Sequence, residues 1–488
     1  MASITESNTH YTNQVKGILD KTYHQGVLKN SLLQQAISYY ENQPFNQHKL
    51  DELTRQIDEL NCPDDQLKNL TKIEQLNIQI QQLKKTLAEE SDERHRFISL
   101  ICQEIMELSE GISFTESNRK SAKLLGTIQL LIPTDNSAVA DFHQSCKPVY
   151  KAVLSLRLLD KLCIDGSILT KVPYIAEFCN DKSGIDFQQF QAQDIQGYQT
   201  FVEQVKIPLV MAALLQDIGH FHPEAQNIVC GQEGQLNPFR MLAVDDRKAL
   251  LQINYRSTIK FLIEGLGAPI YRGNSKAERN IFNATEHKKL LFVKSMLKAA
   301  VAPKLGVGNI LKVPQIYSSI ILSTKANYNY KLLPKVFNAL YQNAERGICC
   351  PKVVEALHKI TGDFPMGYGI TYIPHDEHGQ NHDQYEYAIV TQLYPDHVNR
   401  PICRIATRNL KFISHGQDIV INENFNLHYA DIARHFSSLS KERLNEISQL
   451  LWSNYQERKP LGLMPRFWHT YDYFSFKNNQ KLWDKLNY

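Results

Sequence analysis

The sequence lacks the patterns that mark membrane-spanning, secreted and zinc-binding proteins. No apolar run approaches the roughly 20 residues that a membrane-spanning helix needs. Residues 1–17 have no basic head followed by an apolar stretch, so no secretory signal is predicted. None of the nine cysteines belongs to a CxxC pair, which favours buried, reduced thiols over disulfides or a zinc site. These absences together predict a cytoplasmic protein.

The chain also lacks an excess of either charge. A formal net charge of +3 over 488 residues gives no sign of the concentrated basic surface that nucleic acid or anionic lipid requires. Neither is therefore predicted as a partner. The hydrophobic content of 43% and the charged content of 22% are typical of a globular protein, and the length predicts at least two folding units.

Between residues 49 and 90, apolar residues recur in steps of three and four and form a narrow seam on an otherwise polar segment. Asn61–Asp65 (NCPDD) interrupts the seam and predicts a turn, so two helices in a hairpin are expected. A seam this thin must be covered, either by the partner helix of the same chain or by a second protomer. A homodimer through residues 49–90 is therefore one of two open predictions.

The remaining pattern is mostly helical until about residue 364. Val205–Leu215 is apolar nearly all round and predicts a helix buried at the centre of a bundle, whereas 164–197 is poorer in pattern and predicts a loop-rich insertion. After 364, β-branched and aromatic residues alternate with period two, as in antiparallel strands, and helical periodicity returns at 429. The predicted domains are 1–130 (helical, coiled-coil-like), 131–363 (helical core), 364–428 (small β subdomain) and 429–488 (helical aromatic tail).

The end of the buried helix, Leu214–His220 (LLQDIGH), carries the most informative motif. It resembles the LLHDIGK signature of HD-type phosphohydrolases, in which the adjacent histidine and aspartate bind a metal that polarises a phosphoryl oxygen. Here Gln216 stands in place of the histidine and His220 in place of the lysine, while Asp217 is retained. A neutral amide is a poor ligand for a transition metal, so the resemblance implies a degraded site.

Three further segments resemble the HD-GYP family in the same order. Residues 245–262 resemble the helix that carries another histidine ligand, with Asn254 at its place. Residues 309–323 resemble the helix with an aspartate ligand, with Gln315 at its place. Residues 350–373 resemble the closing helix and the start of its β hairpin, and the ending PMGYGITYI favours HD-GYP over the non-catalytic HDOD relatives.

Two other parts of the family pattern are weaker. His143 corresponds to the first metal ligand of the family, at the cost of a longer insertion than usual. The histidine pair followed by DGxGYP, which names the family, has no counterpart between 263 and 308. The resemblance thus covers 139–373 and implies a mainly α fold: a helical HD-superfamily core with an N-terminal helical hairpin and a small antiparallel β subdomain near the C-terminus.

The resemblance implies one of three functions. The first is a catalytically degenerate, bacterial-type signalling or regulatory scaffold that binds protein partners and needs no cofactor. The second is a non-hydrolysing sensor of a cyclic dinucleotide such as cyclic di-GMP, with Tyr255 and Arg256 as candidate ligand-binding residues. The alternative is an active metal-dependent phosphodiesterase acting on cyclic di-GMP, which would need iron, manganese or zinc at Asp217 and His143.

Plainer interpretations compete at the remaining candidates. His220 and His222 are expected past the helix end, and Asp217 is then expected to accept hydrogen bonds from neighbouring backbone. The segment 375–383 is rich in histidine and aspartate, but a polar turn between strands accounts for it. The tryptophans and tyrosines after 452 are expected to anchor the tail onto a core.

Overall fold

The computed structural model describes most of the chain. The described residues are 8–23, 30–60, 66–133, 136–168, 171–179, 181, 183–301, 306–375, 382–435, 440–452, 455–458 and 465–484. The predicted turn at 61–65 and most of the polar segment 375–383 lie outside these ranges. Among the described residues, no helix combines the length and the hydrophobicity that crossing a bilayer requires.

Helices dominate the structure, and the predicted fold class, mainly α with a helical hairpin and a small antiparallel β subdomain, is confirmed. The helices of the first half are α1 (His10–Tyr23), α2 (Leu32–Leu60), α3 (Gln66–Ser109), α4 (Phe114–Leu130), α5 (Asn136–Ile164), α6 (Pro173–Glu177), α7 (Phe187–Gln193), α8 (Ile195–Phe201), a π-helical turn (Val202–Lys206) and α9 (Ile207–Leu215). Those that follow are a 3₁₀ turn (Ile218–Phe221), α10 (Pro223–Cys230), α11 (Val244–Lys260), a second π-helical turn (Phe261–Leu266), α12 (Lys276–Val301), α13 (Gly308–Ile321), a 3₁₀ turn (Tyr330–Lys335), α14 (Val336–Glu345) and α15 (Pro351–Thr361).

Helices α2 and α3 pack against each other as the predicted hairpin. Leu53 on α2 and Leu76 on α3 are buried, and the other seam residues that the structure describes are at least half-buried, while the polar positions between them are exposed. Of the two open predictions, the partner helix of the same chain is the one that covers the seam. Association with a second protomer through 49–90 stays a prediction.

One hydrophobic core runs through the helical part of the molecule. At its centre lies α9, whose residues from Pro208 to Leu215 are all buried because the segment is apolar on every side. It packs against α3, α5 and α12. The same core includes Val15 in the first helix and Ile370 after the last core helix, so apolar contact continues across the predicted boundaries near 130 and 364.

The β subdomain is a four-stranded antiparallel sheet with a short ribbon beside it. The strands are β1 (Gly369–Tyr372), β2 (Glu386–Val390), β3 (Ile402–Ile405), β4 (Thr407–Arg408), β5 (Lys411–Phe412) and β6 (Asp418–Val420), and the sheet order is β1-β2-β3-β6. Ile370 pairs with Ala388, and Ala388 pairs with Ile405, which fixes the register of the first three strands. The β4 and β5 strands form the separate ribbon.

The tail covers the sheet, as the aromatic pattern predicts. Its elements are a 3₁₀ turn (Glu423–Phe425), α16 (Ala430–His435), α17 (Lys441–Leu451), α18 (Tyr455–Arg458), α19 (Tyr471–Ser475) and a last 3₁₀ turn (Lys477–Lys481). Trp468 stacks on Tyr387 at 4.8 Å and donates to the Ala388 carbonyl at 3.0 Å. The hydrogen bond gives the indole N–H an acceptor in place of the water that burial removes.

The tail also reaches the first helix. The Gln480 side-chain carbonyl accepts hydrogen bonds from the Thr9 backbone N–H at 2.8 Å and from the Thr12 hydroxyl at 2.9 Å. Gln480 is buried, so these bonds hold the beginning of α1 against the end of the tail.

Candidate functional site

The motif predicted to carry chemistry lies where α9 ends. Asp217 precedes the 3₁₀ turn Ile218–Phe221, and Gly219 of that turn packs against α11. A Cβ at Gly219 would lie 2.2 Å from the Asn254 carbonyl oxygen, so only glycine permits this approach. The Gly219 N–H donates to the Thr258 hydroxyl at 3.1 Å, and the Asn254 amide donates to the Gln216 carbonyl at 3.1 Å. The turn is therefore held rigidly on α11.

Two side chains from other helices donate hydrogen bonds to the carboxylate of Asp217. Lys151 on α5 donates to Oδ2 at 2.6 Å, and Gln315 on α13 donates to Oδ1 at 2.7 Å. The expected backbone donors are thus replaced by side chains. Burial raises the pKa of Asp217, but Lys151 and then His220 outweigh it and hold that pKa well below its usual range. Asp217 is therefore an anion whose strongest partner is a buried ammonium group.

The candidate ligands do not fit a metal ion. Both Asp217 oxygens already accept a charged or amide donor, and the neighbouring Gln216 and Asn254 are amides with weak affinity for transition metals. His143 is fully buried, its Nδ1 bonds the Ser323 carbonyl at 2.7 Å, and burial lowers its pKa to about 4. Among the described residues, no group of three or more histidine, cysteine, aspartate or glutamate side chains is arranged to hold a metal.

The structure separates the other candidate residues into two places. Burial lowers the pKa of His220, and Asp217 opposes this shift, so His220 belongs to the Asp217 cluster. His222 instead caps α10, where its Nδ1 accepts from the Glu224 N–H at 3.2 Å. Arg256 lies on the exposed side of α11 and forms an ion pair with Glu224, and the neighbouring Tyr255 is half-buried. The predicted binding pair thus lies next to the α10 cap.

The most important partner of Asp217, Lys151, is absent from the sequence predictions. Its signal is a lysine inside the apolar stretch of α5, between Tyr150 and Ala152, which are both fully or almost fully buried. A lysine enclosed in this way must find a carboxylate or lose its charge. That requirement could have been recognised in the sequence, but not which carboxylate would meet it.

A second buried charge cluster, also missed, lies further along α5. Arg157 forms ion pairs with Glu110 and, at 2.9 Å, with Asp160, while Lys206 lies 2.8 Å from Glu110 and 2.9 Å from Asp160. Arg157, Asp160 and Lys206 are almost completely buried. Two cations and two carboxylates thus balance inside the bundle, where an unbalanced charge would be costly. The cluster joins α3, α5 and the first π-helical turn.

The Glu110 carboxylate of this cluster predicts acid sensitivity, whereas burial raises the pKa of Asp160. Burial raises the pKa of Glu110, but Arg157 and Lys206 outweigh it and lower that pKa. A carboxylate with a depressed folded-state pKa stabilises the fold above its unfolded pKa of about 4.3, and the contribution is lost as pH falls through the folded value. We expect the stability difference between the wild type and Glu110→Gln to be constant from pH 7 to 5 and to shrink below pH 4, measured by urea unfolding. A difference that grows below pH 4 would contradict this assignment.

Comparison with models of protein families, with characterised proteins and with solved structures finds no match to this chain. Inferences about function therefore rest on the residues and geometry of the chain itself.

Proposed function

We propose that this protein is a non-catalytic regulatory protein whose helical core resembles HD-GYP domains and which acts by binding instead of by turnover. The observation that carries the proposal is the contact between Lys151 and Asp217, in which a fully buried ammonium group lies 2.6 Å from the one acidic residue of the HD motif that the chain keeps. A lysine at this place supplies the positive charge that a metal supplies in an active phosphohydrolase.

The chemical difference between the two cations supports this proposal. A bound metal has open coordination positions at which it lowers the pKa of water and makes a nucleophile, whereas an ammonium group offers only hydrogen-bond donors. With Gln315 donating to the other oxygen, both oxygens of Asp217 already accept a hydrogen bond from the protein. The contact therefore preserves the electrostatic balance of the site without its hydrolytic chemistry.

The hairpin gives the proposed scaffold an accessible surface. In residues 41–60 of α2 and 70–90 of α3, positions outside the seam are largely exposed and polar, whereas the rest of both helices contributes buried residues to the core. A polar helical arm of this kind is suited to carry a protein partner, including a second copy of the chain. Deletion of the arm is expected to abolish partner capture and leave the core folded.

The proposal is tested on the purified full-length protein. We expect no stoichiometric iron, manganese or zinc by elemental analysis, and no hydrolysis of cyclic di-GMP when each of these metals is added. The variant Asp217→Asn is the control, because an active metal site at this position would lose metal and activity together. Stoichiometric metal, or hydrolysis, in the wild type that disappears in Asp217→Asn would overturn the proposal.

A further inference from the structure

Two lysines flank the Asp217 contact without a hydrogen-bond or ion-pair partner among the residues that the structure describes. Lys147 lies one turn before Lys151 on α5, and Lys312 lies one turn before Gln315 on α13. Residues at these spacings share a helix face, with Cβ atoms about 5–6 Å apart. Lys147 and Lys312 make no hydrogen bond or ion pair to any residue in the described part of the chain.

Helix α5 packs on α13, and both helices contribute a side chain that is bonded to Asp217, so Lys147 and Lys312 lie near the same carboxylate. Each lies one helical turn from a side chain that is bonded to Asp217, and Asp217 acts electrostatically on both. Asp217 is already neutralised by Lys151 at 2.6 Å. Around this one anion there are thus three ammonium groups, and two of them are not compensated.

Further cations surround the same place. Lys325 repels Lys147, and Arg247 repels both Lys312 and Lys325. The Lys325 ammonium donates a 2.9 Å hydrogen bond to the Arg240 carbonyl. Lys147, Lys312 and Lys325 are only partly exposed, and Arg247 is exposed, so the cluster lies at the surface of the bundle and an ion can reach it.

The mutual repulsion of these cations costs free energy, and a bound anion would offset that cost. Burial lowers the pKa of Lys147 and of Lys312, and Asp217 offsets the shift only in part. Ammonium groups bind phosphate as point charges with several donors each, and partial burial strengthens the attraction relative to water. An anion with two negative charges would match the two uncompensated ammonium groups.

We propose that Lys147 and Lys312 form a binding site for a phosphate monoester dianion, with Lys325 and Arg247 at its rim and the Lys151–Asp217 contact as its floor. The ligand class is a phosphorylated small molecule, such as a nucleoside monophosphate, held through its terminal phosphate. This inference rests on the proposed function, since it takes the site to bind without a metal. Beyond the proposed function, this inference specifies the chemical class of the ligand.

The test measures binding to the full-length protein by calorimetry in the presence of EDTA, with inorganic phosphate, GMP and cyclic di-GMP as probes at constant ionic strength. We expect phosphate and GMP to bind and cyclic di-GMP, which carries only diester monoanions, to bind at least tenfold more weakly. Lys147→Met and Lys312→Met keep the length of the side chain and remove its charge, and each is expected to weaken phosphate binding at least tenfold. The exposed Lys298→Met on α12 is the matched control and is expected to bind as the wild type does.

Thermal unfolding provides a second measurement. Phosphate is expected to raise the Tm of the wild type and of Lys298→Met, and to leave that of Lys147→Met unchanged, because ligand that binds only the folded state stabilises it. No binding of phosphate or GMP by the wild type, or equal binding by the lysine variants, would overturn the anion site while leaving the metal and hydrolysis results of the proposed function intact. Phosphate binding that is seen in the absence of EDTA and lost in its presence would also overturn the anion site, and it would count against the proposed function as well.

Discussion

Replacing Glu110 with alanine is expected to lower the free energy of unfolding by about 3–5 kcal/mol, which is the range for breaking a buried ion pair by removing one partner. The change leaves the charges of Arg157 and Lys206 inside the bundle with Asp160 as the one remaining carboxylate that pairs with them in the described part of the chain. Lys206 is almost completely buried, and its ammonium group lies 5.1 Å from the centre of the Phe187 ring. The loss of stability therefore arises from the unpaired charge in the folded state.

Urea unfolding followed by circular dichroism measures this effect. The matched control is Glu107→Ala, because Glu107 is an exposed glutamate in the last turn of α3, just before Glu110, and its loss is expected to change stability by no more than about 0.5 kcal/mol. A Glu110→Ala variant as stable as the control would show that the four charges contribute nothing as a set.

The second large effect is expected at the Lys151–Asp217 contact. Asp217→Asn leaves the fully buried Lys151 ammonium without its carboxylate and is expected to destabilise the protein by about 3–5 kcal/mol. Lys151→Met removes the buried charge itself, so its cost is expected to be smaller. The double variant Lys151→Met/Asp217→Asn is then expected to be more stable than Asp217→Asn alone, with a coupling energy of about 0.5–3 kcal/mol.

The same helix offers a control for this double-mutant cycle. Lys161 and Asp165 form a more exposed pair at 3.0 Å with i,i+4 spacing, for which a coupling of about 0.3–0.5 kcal/mol is usual. A coupling at Lys151–Asp217 that does not exceed the one at Lys161–Asp165 would remove the structural basis for regarding Lys151 as the substitute for a metal.

The sequence predicts those parts of the fold that depend on local periodicity. The seam of α2 and α3 and the all-apolar α9 are visible because helical spacing repeats along the chain, and the strands because period two does. The insertion at 164–197 is less loop-rich than predicted, since α6, α7 and the start of α8 lie in it. Asp186 and Asp194 cap α7 and α8 by accepting from backbone N–H groups, and helices of seven residues are too short to show a repeat.

The candidate site could be predicted only in part, for a different reason. Asp217 and Gln216 are predicted because a motif marks them, and Asn254 and Gln315 because their helices follow in the expected order. That Lys151 would donate to Asp217 depends on how α5 packs against α9, and no spacing within one helix encodes it. The same holds for Glu110 and Lys206, which are far apart in the chain. They come into contact only when α3, α5 and the first π-helical turn pack together.

The bond between Thr9 and Gln480 has a consequence for the order of events during synthesis. The two residues are 471 positions apart, so the first helix leaves the ribosome long before its polar partner exists. At about 5–20 residues per second, an interval on the order of half a minute or more separates them. Until then the Thr9 N–H lacks this acceptor, so its bond to Gln480 can form only after the tail has been synthesised. Hydrogen exchange at the Thr9 amide in nascent-chain complexes would date that step.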